Sequence, residues 1–504
     1  MVAGRVHIGV DVGTSVAKAA AFDEHGAVVA RAARPVALAR PSPGWVEQDV
    51  EEVWAGVVDV LAEVRAAVDG AEVGHLGVTA QGDGCWLVDA DARPVRPAVS
   101  WMDARAASVV QDWEADGTAA KIFDRTGSAL FPGSQAAVLA WLDQHEPDAL
   151  DRASTAAYCK DVVVQRLTGV RATDVSEASV AYGTAPGRDG RADYDADSLV
   201  DLGAAHRAHL LAPVTRPLPV GQLTAAPAAD TGLAAGTTVT SGPYDLAACL
   251  AGAGVSTPGD GLLIVGTTLA CLVPTRFDGP HPRPGDLPGG PGDRAGLLLQ
   301  LPGEGAWLRA MPAMVGTASL DWVLRLVGVQ HERLGELLTG SDPGAGGVRA
   351  LPHLSLSGER APFVDTAARG QLTGVSVTTT AADVVRAVCE GLGFAARQCF
   401  EAAGLTGSVV TCGGGTASRP WLELFASALG RPVTVAGSPE VGALGAVLSG
   451  FEHTPTQVDA PAGWQSWVRP AETIDPDPAV VERYEAAYAD YLADQREARA
   501  RWHR

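Results

Sequence analysis

Lysine is almost absent from this 504-residue chain: only Lys18, Lys121 and Lys160 occur, and 38 basic residues face 59 acidic ones. At a formal charge of −21, with no Lys/Arg cluster, the chain cannot displace the counterions of a nucleic acid, and that class of partner is excluded. The acidity reads as a soluble surface. The scarcity of lysine beside abundant Ala, Gly and Arg reads as genomic composition. The seven cysteines (85, 159, 249, 271, 389, 399 and 412) include no C-x-x-C pair and no adjoining His cluster. That excludes a zinc or disulfide framework, so reduced thiols and a cytoplasmic location are expected. No apolar run is long enough to span a membrane, and no signal-peptide-like stretch precedes the first strand, so no membrane partner is expected. No G-x-x-x-x-G-K-[ST] occurs, so any nucleotide site is not a P-loop.

What is present is a globular α/β chain. Hydrophobic residues make up 47%, too many for disorder, and the length exceeds what one core organises, so two lobes are expected. Val6, Ile8, Val10 and Val12 alternate and set His7, Gly9 and Asp11 on the opposite face. After Gly13-Thr14-Ser15 a second apolar stretch and "AVVARA" complete a β-meander. Val53, Val57, Leu61, Val64 and Val68 follow at helical spacing, then the strand "LGVTA", the loop "QGDG" and the segment "SWMDARA". Residues 187 to 236 are polar and Pro/Ala-rich and read as a crossing between lobes; 276 to 305 are Pro/Gly-rich and read as irregular. Helices are expected over 313 to 327, 381 to 403, 419 to 429 and 478 to 502. A second strand, "GLLIVGTT", ends in Gly266-Thr267-Thr268 about half a chain beyond the first such turn. A duplicated architecture, with one glycine-hydroxyl turn from each half facing a shared cleft, follows.

Such turns let backbone N–H groups approach phosphate oxygens, an adjacent carboxylate (Asp11) can hold Mg2+, and Lys18 can reach a terminal phosphate. A plain strand-end turn has the same letters. The run "TCGGGTAS" suits an adenosine pressed against backbone, although a simple turn would also serve. "GLGFAA" at 391 to 396 fits a dinucleotide fingerprint but lies within a helical segment, so it reads as helix packing. Asp245, where "SGPYD" meets a small-residue helix, can cap that helix or accept a proton from a substrate hydroxyl. Asp83 can bind two vicinal hydroxyls, or cap its own turn. Trp86 and Trp101 can offer flat faces to sugar C–H groups or serve the core.

With these residues in place, the chain resembles the FGGY carbohydrate kinases. The stretches "DVGTSVAKAA", "GWVEQD", "TAQGDG", "SWMDAR", "GPYDLAA", "GTT", "ERAPFVDTAARGQLTGV", "CGGGTASRPWLE" and "GALGAV" carry the resemblance, in the family's order. The C-terminal signature fits from Gly370 to Glu390, apart from Cys389, where the family has a large apolar residue. The resemblance implies the sugar kinase/Hsp70/actin (ribonuclease H-like) fold: two actin-like lobes with mixed sheets flanked by helices around a central cleft. It implies a mainly sugar-binding lobe over 1–240, a mainly ATP-binding lobe over 241–460, and a packing helix segment over 461–504. The implied activity is ATP- and Mg2+-dependent phosphorylation of a small neutral sugar or polyol, with Asp245 as catalytic base and Asp11 as the metal carboxylate. Thr14, Ser15, Lys18, Gly266, Thr267, Gly413, Gly414 and Gly415 are then the ATP site, and Gln81, Gly82, Asp83, Trp101 and Asp245 the substrate site.

In glycerol kinases Arg-Glu follows the glutamine that matches Gln81, and in xylulokinases Met-His stands there. Gly82-Asp83 departs from both, and the charge of Asp83 disfavours a carboxylate-bearing substrate such as gluconate. "QGDGCW", "GPYD" and "GTTLACLV" resemble most the erythritol kinase and L-xylulose kinase branches, hence a four- or five-carbon polyol or ketopentose. A non-catalytic sugar- or nucleotide-binding regulator on the same fold is the alternative, against which the intact Asp11, Lys18 and Asp245 count. A chaperone- or actin-like ATPase is disfavoured by "SWMDAR" and "GPYDLAA". The pattern leaves a homodimer open.

Overall fold

An alternating apolar stretch at 6–12 and a continuous one at 262–265 start two sheets built on one plan in the computed structural model, which describes residues 4–187, 192–216, 218–277, 287 and 293–503. The first sheet takes β1 (Arg5–Val12), β2 (Val16–Phe22), β3 (Val28–Pro35), β4 (Glu72–Ala80), β5 (Val220–Gln222) and β6 (Thr238–Ser241). Their spatial order is β5-β6-β4-β1-β2-β3. Strands β1, β2 and β3 form the expected antiparallel meander, and β4 and β6 continue parallel to β1. The second sheet takes β7 (Gly261–Val265), β8 (Leu269–Arg276), β9 (Leu297–Gln300), β10 (Ala306–Pro312), β11 (Val409–Cys412), β12 (Val433–Ala436) and β13 (Pro470–Ile474). Its order is β9-β10-β8-β7-β11-β12-β13. Here β7, β8 and β10 are antiparallel, and β11 and β12 run parallel to β7. The repeated plan is the duplicated, actin-like two-lobe fold. Parallel strands on this plan gather their C-terminal ends at one edge of each sheet, where ligands of such sheets bind.

Six helices matter for the site: α1 (Val50–Ala67), α2 (Asp245–Gly252), α3 (Ala381–Ala403), α4 (Arg419–Leu429), α5 (Val441–His453) and α6 (Pro478–Trp502). Asp49 caps α1, accepting from the Glu51 and Glu52 N–H groups, and its apolar stripe (Val53, Val57, Leu61, Val64) is buried. "GLGFAA" lies inside α3, as expected: a Cβ on Gly391 would approach the Ala350 carbonyl at 2.5 Å, and one on Gly393 the Ala428 methyl at 3.0 Å. Helix α6 buries Tyr484, Tyr488 and Tyr491 in the core of the second lobe. Residues 461–504 thus supply strand β13 as well as this packing helix.

Helix α5 falls between β12 and β13 of the second sheet in sequence but lies on the first. Glycines make this possible. A Cβ on Gly9 of β1 would enter the Ala443 carbonyl, and one on Gly77 of β4 would meet the Ala446 carbonyl at 2.6 Å. The crossing of α5 with α2 is as close: Cβ atoms on Gly445 and Gly252 would run into the carbonyls of Ala248 and Val441. The text "GALGAV" is therefore a contact surface between backbones.

Two readings of the chain are corrected. Residues 187–236 are not a crossing between lobes. Where described, they form short elements, including β5 at the edge of the first sheet and a helix over Ala225–Thr231. Polar, Pro/Ala-rich text masked strands of two or three residues, too short to show alternation. The stretch 276–305 is not irregular throughout, because "GLLLQ" supplies β9; residues 278–286 and 288–292 lie outside the described residues. No helix among the described residues is long and apolar enough to cross a membrane. All seven cysteines are free, and Cys412 is buried.

Candidate active site

The carboxyl ends of β1, β4 and β6 bring three loops together: Gly13–Ser15, Gln81–Gly84 and Gly242–Asp245. Register fixes this, since Asp11 pairs with Thr79 and Val78 with Ser241. Two quoted segments brace the row from outside. Glu47 and Gln48 pair with Val99 and Ala98, Asp103 accepts the Val46 N–H at 2.5 Å, and Arg105 bridges Asp103 and Glu47 at 2.9 and 2.8 Å. So braced, Gln48 donates to the Thr14 carbonyl at 3.2 Å and accepts from Gln81 Nε2 at 2.9 Å. Trp101 Nε1 donates to Thr14 Oγ1 at 2.8 Å. The substrate-loop candidates Gln81 and Trp101 are thereby tied to the phosphate-turn candidate Thr14. Gln81 Oε1 is buried without a partner among the described residues.

Asp83 sits at φ 56°, a left-handed conformation that Asp tolerates. Its Oδ2 accepts the Tyr244 hydroxyl at 2.8 Å from across the fold, not an N–H of its own turn, so the turn-cap reading of Asp83 is set aside. Gly82 has to be glycine because a Cβ there would enter the Tyr244 ring. Burial pushes the Asp83 acid up to about 6, against the Tyr244 hydrogen bond and the Arg360 charge.

Asp245 opens α2, but the residue in the capping position is Tyr244, with no side-chain cap. Among the described residues the Asp245 carboxylate takes only the adjacent Leu246 N–H, at 2.7 Å, so the helix-cap reading falls. Burial, then the charge of Asp11, pushes Asp245 up to about 8, with Asp83 adding to the rise and the Leu246 N–H and Arg360 opposing it. Asp11, at the end of β1, is raised to about 6 by burial and by Glu440, against the pull of Lys18. A Cβ on Gly442 would run into Asp11 Oδ2, so the first turn of α5 rests on this carboxylate. Lys18 Nζ lies 3.9 Å from Glu440, and burial raises the Cys412 thiol to about 12 against the nearby Lys18 charge.

In the second sheet, β7 and β11 are parallel neighbours with Ile264 opposite Cys412, so Gly266-Thr267 and Gly413-Gly414-Gly415 emerge side by side. The Gly266 and Thr267 carbonyls accept the Thr317 and Ala318 N–H groups at 2.9 and 3.2 Å. Gly413 has φ 100° and, like Gly415, presses on Val265, whereas a Cβ on Gly414 would meet nothing within 4 Å. Gly414 therefore leaves its backbone exposed.

Trp86 does not join the site: it is 2% exposed and belongs to the core of the first lobe. Trp101 does, but the guanidinium of Arg360 covers one of its faces, 4.6 Å from the ring centroid. Arg360 also lies over Phe131 at 5.1 Å and donates to the Pro312 carbonyl at 2.8 Å, so a residue of the second lobe reaches the substrate loops of the first. Arg360, Tyr244 and Gln48 carry no role in the sequence reading. Their only signal is membership of "ERAPF", "GPYD" and "GWVEQD".

Residues 6–252 match the N-terminal domain, and 292–451 the C-terminal domain, of the FGGY family of carbohydrate kinases. The chain is 34% identical to the erythritol kinase of Brucella abortus (strain 2308) over 98% of its own length and 96% of that protein. It belongs to the FGGY family of carbohydrate kinases. This FGGY kinase is also 25% identical to the L-xylulose/3-keto-L-gulonate kinase of Escherichia coli (strain K12), over 96% of the chain and 95% of that protein. Its fold matches that of a xylulose kinase from Lactobacillus acidophilus with a TM-score of 0.87 at 20% identity, covering 99% of both chains. It is a sugar kinase, a phosphotransferase of a family that uses ATP as co-substrate.

Proposed function

We propose that this kinase transfers the terminal phosphoryl group of ATP to a hydroxyl of a neutral four- or five-carbon polyol or ketopentose, of the erythritol or xylulose type. Asp245 is the general base. Residues 1–240 form the mainly sugar-binding lobe and 241–460 the mainly ATP-binding lobe, with 461–504 packed on the latter. The observation that carries this reading is Asp245 itself: half-buried beside Asp11 and Asp83, not used as a cap, and with no ion-pair partner among the described residues. Similarity to a Brucella abortus erythritol kinase supports the substrate class.

The donor set suits Mg2+, a hard cation that keeps most of its waters and takes one or two carboxylates plus phosphate oxygens. Asp11 is the carboxylate in reach, at the end of β1 beside the Gly13–Ser15 turn, and it would hold the ion directly or through water. Bound Mg-ATP supplies the phosphoryl group and neutralises its oxygens. The chain's own residues do the rest. Thr14, Ser15 and Lys18 surround the phosphoryl group as it passes to the substrate hydroxyl, Gly266 and Thr267 present backbone to the phosphates, and Gly413 to Gly415 receive the adenosine. Gln81, Gly82, Asp83 and Trp101 hold the substrate, and Asp245 takes the proton of the attacking hydroxyl as its oxygen bonds to phosphorus and ADP leaves.

ADP release from Mg-ATP across neutral C3–C7 polyols, ketoses and aldoses tests the proposal. Four- and five-carbon compounds should raise the rate well above the substrate-free level, and gluconate should not; no rise with any compound contradicts it. Asp83→Ala should raise the KM of the sugar or polyol by about 10- to 150-fold, the cost of a lost charged hydrogen bond, with the KM of ATP unchanged. An equal rise in the KM of ATP would move Asp83 out of the substrate site.

A further inference from the structure

Behind Asp83 the first lobe holds polar atoms that the fold leaves unsatisfied. Glu177 is 1% exposed, and neither carboxyl oxygen has a partner among the described residues. The hydroxyls of Tyr158 and Tyr182, on side chains 2% and 0% exposed, are equally unpartnered. Orphans of this kind are rare, and each is costly, about 1–3 kcal/mol for a neutral group, so a cluster of them marks a place where something with hydroxyls belongs.

The chain itself does not satisfy Glu177. Lys160, fully buried, is engaged by Asp161 at 2.9 Å and Asp174 at 2.6 Å, which leaves Glu177 as a third carboxyl near one cation. Burial, reinforced by the charges of Asp161, Asp174 and Asp83 and opposed by Lys160, holds the Glu177 acid well above the usual carboxylate range. Its charged form is disfavoured there, and the hydroxyl of an alcohol would supply the partner that both oxygens lack. Glu177 lies on the helix Val175–Ala181, and its neighbour Ser176 accepts the Tyr244 N–H at 2.8 Å. Tyr244 in turn donates to Asp83. The orphan cluster is thus joined to the substrate loop through two hydrogen bonds.

We propose that Glu177, Tyr158 and Tyr182 form the inner end of the substrate site, where they bind the hydroxyls farthest from the reacting one and set the preferred length of the polyol. This rests on the kinase reading above. A three-carbon substrate held at Asp83 and Asp245 leaves the inner end to water, whereas a four- or five-carbon chain fills it.

The test compares KM for glycerol, erythritol and five-carbon polyols, and for ATP, in the wild type, Glu177→Leu, Glu177→Gln and Tyr182→Phe. Glu177→Leu should raise KM for four- and five-carbon substrates by about 3- to 10-fold relative to glycerol, with the KM of ATP unchanged. Glu177→Gln, which still donates and accepts, should restore most of the loss. Tyr182→Phe keeps the ring packed edge-on against Tyr194 at 5.6 Å and removes only the hydroxyl, so it reads the site even if Glu177→Leu does not fold. Unchanged KM ratios in these variants, with Glu177→Leu merely more heat-stable, would show a water-filled pocket and overturn the proposal. A wild type that phosphorylates no polyol defeats the kinase reading instead, before any variant is compared.

Discussion

Asp245→Asn should lower kcat by about 10²–10⁴-fold, roughly 2.7–5.5 kcal/mol, while leaving the KM values of ATP and substrate nearly unchanged. Asn keeps the size of the side chain and can still orient a hydroxyl, but it cannot take the proton. The loss stays below the whole rate enhancement, because phosphoryl transfer rests mainly on positioning and charge stabilisation. Two further readouts separate a general base from a structural residue. The wild-type kcat/KM should rise with pH and level off above about 8 as Asp245 loses its proton. The folded-state pKa of Asp245, about 8, lies above its ordinary 3.8, so between those values the folded protein binds more protons than the unfolded chain. Stability from this residue is therefore lost as pH rises from about 4 to 8, and the Asn variant should escape that loss. Its melting temperature should exceed the wild type's by a margin that grows with pH. A kcat near the wild type's would remove the base.

Gly445→Ala should destabilise the protein and abolish most activity, although alanine is worth up to about 1 kcal/mol more than glycine inside a helix. The added Cβ would enter the Ala248 carbonyl of α2. Backbone cannot swing aside as a side chain can, and forced overpacking costs about 1–3 kcal/mol or more, so the clash outweighs the propensity. Relief requires α5 to move off α2, which displaces Asp11, under the first turn of α5, from Asp245, at the start of α2. Gly56→Ala in α1 is the control: its nearest contact would be the Arg34 Cβ at 3.9 Å, so there the propensity gain should appear as a small rise in melting temperature. Thermal melts and kcat of both variants check this; a stabilised, active Gly445→Ala would mean that the helix crossing tolerates separation.

Much of this was legible in the sequence because the signals are local. The alternation at 6–12, the turns at 13–15 and 266–268, and the helical spacing of 478–502 each predict an element from its own residues. "GLGFAA" reads as helical for the same reason, and α3 spans the expected 381–403. The strands at 220–222 and 297–300 are not legible in the sequence because their pairing partners, not their own residues, make them strands. The site divides likewise. Thr14, Asp83 and Asp245 stand out beside glycines, but whether Asp245 caps a helix depends on backbone geometry at Tyr244. Arg360 reaches Trp101 from the other lobe, and Glu177 gains its interest only from what fails to reach it. No spacing rule predicts either.

The most direct measurement is 31P NMR of the purified protein with Mg-ATP and erythritol or a five-carbon polyol or ketose, run beside Asp245→Asn. The account predicts a new phosphomonoester resonance growing in step with ADP in the wild type, and at most about a hundredth of that rate in the variant. ATP left intact with every such substrate, or a phosphomonoester forming at equal rates in both proteins, would contradict it.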